Sequence, residues 1–366
     1  MLDPNQSRER QKRLLAIMEK RNLDAVVVGL PRHVYYFSTF HPHSLHYAAV
    51  ALRADGRSCL ISANEPAGTK AIDESIAYEA QWMATLRQEQ PMAIAESAAA
   101  WLAAGDIRRL GLDTSPVSLH LARRFGENAE LIDEEIWQMR RCKDADELSI
   151  MKSAIELTDA MYKRALEIIE PGIEEVTVFA ELQRAAVEKA NEPLTDLLGN
   201  DFACDANGGP PRAGRTAQAG QIYILDLGPS YRGYFADNSR SFAVNGEPTQ
   251  AQERAYRSIL LCFDIFEHLA KPGARCRDLF AAVNDHLSKS MGRPLPHHLG
   301  HGVGLQAHEF PHLNPKWDDV LMPGEVVAVE PGVYGDDLGG GIRIEDQYLV
   351  TPTGVQNLVK FPRSMR

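Results

Sequence analysis

No apolar stretch in these 366 residues approaches the ~20 needed to cross a bilayer as a helix. Basic excess is missing too: 39 Lys and Arg stand against 50 Asp and Glu, a net charge of −11. That balance argues against a nucleic-acid partner, whose phosphates demand a basic face. The five cysteines, Cys59, Cys142, Cys204, Cys262 and Cys276, form no CxxC pair. An odd, scattered set fits reduced thiols rather than a disulfide framework. Only Cys204, in a Gly- and Pro-rich stretch, offers itself as a reactive thiol. The opening segment Met1 to Ala25 is charged throughout and holds no apolar h-region, so no signal peptide is expected and the cytoplasm is the expected location. Histidine is absent between His120 and His268, yet crowded further on.

What is present suggests two domains, since the length exceeds a usual single one. Up to about residue 140 the pattern alternates. A charged amphipathic helix over Arg8 to Arg21 leads into the β-branched run Asp24 to Gly29. The apolar runs His33 to Phe37, Tyr47 to Leu52, Ser58 to Ile61 and Arg109 to Asp113 read as strands, with an Ala-rich helix over Ala93 to Ala104. Strand runs between helical stretches predict an α/β layer domain. A boundary near Arg140 to Lys143 follows, then Asp144 and Glu147 at capping-box spacing and a long helix that Pro171 and Gly172 stop.

That stop recurs. The segment Ala165 to Gly172, followed by Val178 to Leu182, matches Ile265 to Gly273, followed by Leu279 to Val283. The two prolines, Pro171 and Pro272, are 101 positions apart, and each half continues into strands carrying two acids. A duplicated half-domain with a site at the junction is the reading. In the first half, Gln221 to Asp237 predicts strand, turn and strand, with Pro229 and Gly233 bracketing a hairpin that sets Asp226 and Asp237 opposite each other. In the second, Glu330 ends the apolar run Val326 to Val329 and Glu345 ends Gly339 to Ile344. An acid on an apolar strand costs several kcal/mol unless a cation neutralises it. Ion pairing with Arg240 and Arg343 is the alternative to metal.

Five of the twelve histidines, His297, His298, His301, His308 and His312, fall within 16 residues. One imidazole with four carboxylates makes an oxygen-dominated set suited to Mn²⁺, Co²⁺ or Zn²⁺. Elsewhere, His41, His43 and His46 read as a loop of the first domain, Trp82, Trp101 and Trp137 as core or interface, and Asp336 with Asp337 as a solvated turn.

The stretch Pro296 to Glu309, with Glu330-Pro331-Gly332 and Ile344-Glu345-Asp346, strongly resembles the pita-bread metallopeptidases. The likeness is greatest to the aminopeptidase P and prolidase type, which act on Xaa-Pro bonds, and Leu23 to Phe40 resembles the creatinase-type N-terminal domain. The resemblance implies an α/β (α+β) chain. A creatinase-type N-terminal α/β domain over 1–140 would precede a pseudo-two-fold pita-bread catalytic domain over 141–366. It implies two divalent metal ions, Mn²⁺ foremost with Zn²⁺ or Co²⁺ as options, held by Asp226, Asp237, His301, Glu330 and Glu345. His297 and His308 match substrate-facing histidines, and Arg343 a supporting arginine. A homodimer is implied, with a small peptide or other small molecule as substrate. The family's peptidases carry a further histidine shortly before the first aspartate; here Cys204 to Ala213 holds none.

The expected enzyme is therefore a dinuclear-metal hydrolase, an Xaa-Pro aminopeptidase or dipeptidase. Water between the metals would attack, Glu330 would shuttle the proton, His308 would bond the tetrahedral intermediate and His297 would orient the substrate. A non-peptide member of the same fold, cleaving a C–N bond in a small amidine or cyclic solute or acting as a lyase, is the alternative. An inactive metal-binding module is the third reading.

Overall fold

The computed structural model describes residues 1–196 and 199–365 and divides into two compact units, Met1–Arg140 and Arg141–Arg366. In the first, a mixed six-stranded sheet runs Glu74–Tyr78, Ser58–Ala63, Ala49–Arg53, Ala25–Val28, Leu110–Leu112, Ala129–Leu131. The central strand Ala25–Val28 is buried at every position, which explains its unbroken β-branched run. The Ala-rich helix Gln90–Leu102 closes this core with Trp101, whereas Trp82 is exposed on a short hairpin. One strand expectation fails here. His33 to Phe37 lies in the helix Pro31–Ser38, because Pro31 sits in its first turn and Asp113 accepts from the amides of Gly29 and Leu30 and from His33 Nδ1. Capping and burial of one face prevail over β propensity.

The second unit repeats one plan. Helices Ala145–Ile168 and Glu175–Ala190 pack as a pair, followed by strands Gly199–Cys204, Ile222–Leu227 and Asn238–Ala243. Helices Gln250–Leu269 and Cys276–Met291 form the second pair, followed by a five-stranded antiparallel sheet. Its order is Glu309–Leu313, Gly300–Gly302, Val326–Val329, Asp346–Val350, Val355–Asn357. Asp144 and Glu147 make the expected capping box.

The equivalence extends to single hydrogen bonds. After Pro171, the Gly172 amide donates to Ala217 O at 2.8 Å and Ala217 N returns to Ile173 O at 2.9 Å. After Pro272, the Gly273 amide donates to Leu321 O at 2.9 Å and Leu321 N returns to Ala274 O at 2.9 Å. Asp226 and Glu330 each follow nine residues after those partners. The halves join where Ser239 and Glu345 exchange backbone hydrogen bonds of 3.2 and 3.0 Å. Behind this splice, buried Arg240 donates to Glu345 O and pairs with Asp346 at 2.8 Å, so it neutralises none of the four acids singled out above.

Candidate metal centre

Asp226 rides on Ile222–Leu227, where apolar neighbours bury the whole strand. Its register partner is Ser239, and Leu227 faces Asn238, so Asp237 lies two places beyond the position opposite Asp226. The expected hairpin is present but longer: Ser230–Tyr231 pairs with Tyr234–Phe235 around Arg232 and Gly233, both at positive φ. Asp237 reaches the site from just before its strand. Glu330 follows Val326–Val329, its amide fixed to Leu299 O at 2.9 Å. His301 is central in Gly300–Gly302, a strand gripped on both sides: a Cβ at Gly300 would stand 1.9 Å from Ala328 O, and one at Gly302 1.9 Å from Phe310 O. Only glycine lets the imidazole be presented there.

These elements bring Asp226, Asp237, His301, Glu330 and Glu345 to one cavity of about 270 Å³, together with His297, His298, His308 and Arg343. His301 is 2% exposed and its Nδ1 donates to Gly302 O at 3.0 Å. That fixes the tautomer and leaves the Nε2 lone pair directed at the cavity, 3.6 Å from Asp237 Oδ2 and 3.6 Å from Glu330 Oε1. His308 stacks flat on His301, with ring centroids 3.6 Å apart. His297 donates from Nδ1 to His298 O at 2.8 Å, so its Nε2 accepts from the Tyr334 hydroxyl at 2.7 Å. Arg343 donates to Asp226 Oδ2 at 2.8 Å and also to Asp201.

The cluster is short of positive charge. Asp226 Oδ1, Asp237 Oδ2 and Glu345 Oε2 are buried with no hydrogen-bond partner. Burial and the neighbouring acids push Asp237 and Glu345 well above the usual carboxylate range. Burial raises Asp226 to about 6 although Arg343 opposes it. Burial lowers His301 to about 3, so it is a neutral donor at ordinary pH. Asp237, His301 and Glu345 offer ligand atoms within 4.8 Å of one another, as do His297, His298 and Glu330. Orphaned carboxylate oxygens around a free imidazole lone pair are the donor set a divalent cation fits.

Three participants escaped the sequence reading. His298 places Nε2 2.8 Å from Glu330 Oε1. Tyr334, four residues after Glu330, bridges His297 and Arg343, and burial raises its hydroxyl to about 12. Asp201 grips Arg343 from the neighbouring strand. His298 was visible in the histidine cluster; the other two carried no local signal. Cys204 is buried at a strand end, where burial and Glu175 raise its thiol to about 11, the reverse of an activated thiolate. The loop after it is clamped by buried Glu175, which accepts from Arg212 Nε, Nη2 and backbone N, and no side chain of 204–213 lines the cavity among the described residues. His43 and His46 line a separate small cavity within the first unit, and Asp337 pairs with Arg293 on the surface.

Two equivalent α/β halves meeting at a carboxylate-rich, imidazole-bearing cavity define a metal-dependent hydrolase of two-fold design. Residues 149–352 match the profile of metallopeptidase family M24, and residues 10–142 that of the creatinase/prolidase N-terminal domain. The chain belongs to metallopeptidase family M24 and has its pita-bread fold. It is similar to an Xaa-Pro dipeptidase of Pyrococcus furiosus, 27% identical over 98% of this chain and 99% of that protein. The solved prolidase of Pyrococcus furiosus superposes with a TM-score of 0.77 at 25% identity, over 95% of this chain and 100% of that one. An Xaa-Pro dipeptidase from Bacillus anthracis shares the fold, with a TM-score of 0.82 at 24% identity over 98% and 99% of the two chains.

Proposed function

We propose that this chain is an Xaa-Pro exopeptidase, an aminopeptidase or dipeptidase, whose two divalent ions are held by Asp226, Asp237, His301, Glu330 and Glu345. The observation that carries the metal assignment is the set of orphaned oxygens on Asp226, Asp237 and Glu345 in one cavity with the Nε2 lone pair of His301. Full-length similarity to Xaa-Pro dipeptidases supports the substrate class. Residues 1–140 act as the N-terminal domain and 141–366 as the catalytic domain. Mn²⁺ is the proposed metal, since four carboxylates outnumber one imidazole. A cytoplasmic homodimer is the proposed state; among the described residues no helix is long and apolar enough to cross a membrane.

Divalent ions held by these five residues would polarise water and a substrate carbonyl oxygen, bringing water's pKa down towards about 7. The rest of the work falls to the chain. Glu330 takes the proton from the attacking water on a carboxylate oxygen and delivers it to the leaving nitrogen. His308, with an edge open to the cavity, donates to the oxygen that gains charge as the peptide carbon becomes tetrahedral. His297, held by Tyr334, orients the scissile bond. Arg343 steadies Asp226.

A second reading, a non-peptide C–N hydrolase or lyase on the same site, draws on the clamped loop 204–213, which supplies no imidazole to the cavity. The deciding experiment assays Mn²⁺-loaded enzyme on Xaa-Pro dipeptides, longer Xaa-Pro peptides and small amidine or cyclic solutes. Release of the residue before proline is expected. Turnover of the small solutes alone would overturn the peptidase reading.

A further inference from the structure

The strand Gly199–Cys204 carries an acid for which the reaction above has no use. Asp201 is the register partner of Asp226, so two aspartates face each other on adjacent strands. Their repulsion is relieved by one group. Arg343 Nη2 donates to Asp201 Oδ2 and, at 2.8 Å, to Asp226 Oδ2. The other oxygen, Asp201 Oδ1, accepts from the Gly209 amide at 2.6 Å. The loop is shaped to that contact, since a Cβ at Gly208 would stand 2.5 Å from Asp201 Oδ2.

An arginine touching a metal-binding carboxylate competes with the metal for its charge. Two divalent ions match the four negative charges of Asp226, Asp237, Glu330 and Glu345. Arg343 alone would cancel one of them; Asp201 restores the balance by engaging the same guanidinium nitrogen. Asp226 Oδ1, which has no protein partner, then keeps its charge for a cation. We propose that Asp201 is a positioning residue of the metal centre, occupying Arg343 so that the guanidinium orients Asp226 without neutralising it. This rests on the metal assignment proposed above, but not on the identity of the peptide.

The test titrates chelated full-length protein with Mn²⁺ by calorimetry, in wild type, D201N, D201E, R343Q and the D201N/R343Q pair. Asn keeps the size of the side chain and an oxygen for the Gly209 amide. D201N is expected to weaken at least one of the two sites by about 10- to 100-fold. In the R343Q background the same change is expected to cost less than about threefold, because the competing charge has gone. D201E, which keeps the charge, is expected to stay within about threefold of wild type. Equal Mn²⁺ affinity in D201N and wild type would overturn the proposal, as would an undiminished loss in the R343Q background. Should D201N fail to fold, a tenfold loss in D201E would overturn it instead. A wild-type chain that takes up no divalent cation would sink the metal assignment itself; two ions bound tightly by both wild type and D201N would sink only the role of Asp201.

Discussion

The two halves of the catalytic unit share a frame and divide the chemistry. Each presents an acid nine residues after the same pair of backbone hydrogen bonds, and a second acid from the next strand region. Yet all four cavity imidazoles come from the second half. In the first half the loop between its first two strands, clamped by Glu175 and Arg212, supplies no side chain to the cavity among the described residues. Duplication therefore gives both halves the acids of the proposed cation cradle, while the groups proposed to handle protons and face substrate lie on one side only. On the proposed assignment the first half would hold metal, and the second would hold metal and work.

Substitution should expose that division. E330Q, in the working half, is expected to lower kcat by about 10³-fold, the range for loss of a general acid–base group. Near-normal turnover with both ions retained would refute the shuttle role. D237N, in the holding half, should instead reduce metal affinity, measurable by calorimetry without any substrate.

Metal removal tests the cradle through pH. Asp237 and Glu345 have raised pKa values in the fold, so their stabilising protonated state is lost as pH rises. His301, lowered to about 3, works in the opposite sense but only up to its unfolded value of 6.5. Above about pH 6.5 the chelated chain should therefore lose about 1.4 kcal/mol per pH unit for each acid still protonated in the fold. Mn²⁺ should abolish the slope. A melting temperature in chelator that does not fall at any pH above 6.5 would contradict the raised carboxyls.

H298A should cost about 10- to 100-fold in kcat with KM little changed, because it frees Glu330 Oε1. H298Q, which keeps an N–H donor, should recover part of it; an unchanged kcat in H298A would make the contact incidental. Smallest is E175Q in the first half. It weakens the clamp on Arg212 and should lower stability by about 2 kcal/mol, read by denaturant unfolding, with kcat unaffected. A kcat loss there would mean that the loop acts on the reaction beyond its backbone contact with Asp201.

Much of this site was legible because its acids break a rule. Asp226, Glu330 and Glu345 interrupt apolar runs, and the breach is visible without coordinates. The repeat was legible because Pro-Gly follows the first helix of each pair in the same turn. Other residues lay beyond reach for a physical reason. Asp201 and Tyr334 look like ordinary strand or turn residues until distant segments bring Arg343 and His297 against them. His33 to Phe37 had the composition of a strand; what makes it helical is the acceptor Asp113, about eighty positions away. Arg240, weighed as a partner for the acids, went to Asp346 instead, which only the register could decide.

The splice between Ser239 and Glu345 has a kinetic meaning. The pair is separated by more than a hundred residues, so its closure costs loop entropy that the adjacent helix pairs do not. Each half can assemble from near neighbours, but Glu345 meets Asp226 and Asp237 only when the splice forms. Metal uptake during refolding should therefore register as a late event, following helix formation. The cation would act as a latch on the finished fold and not as a nucleus for it.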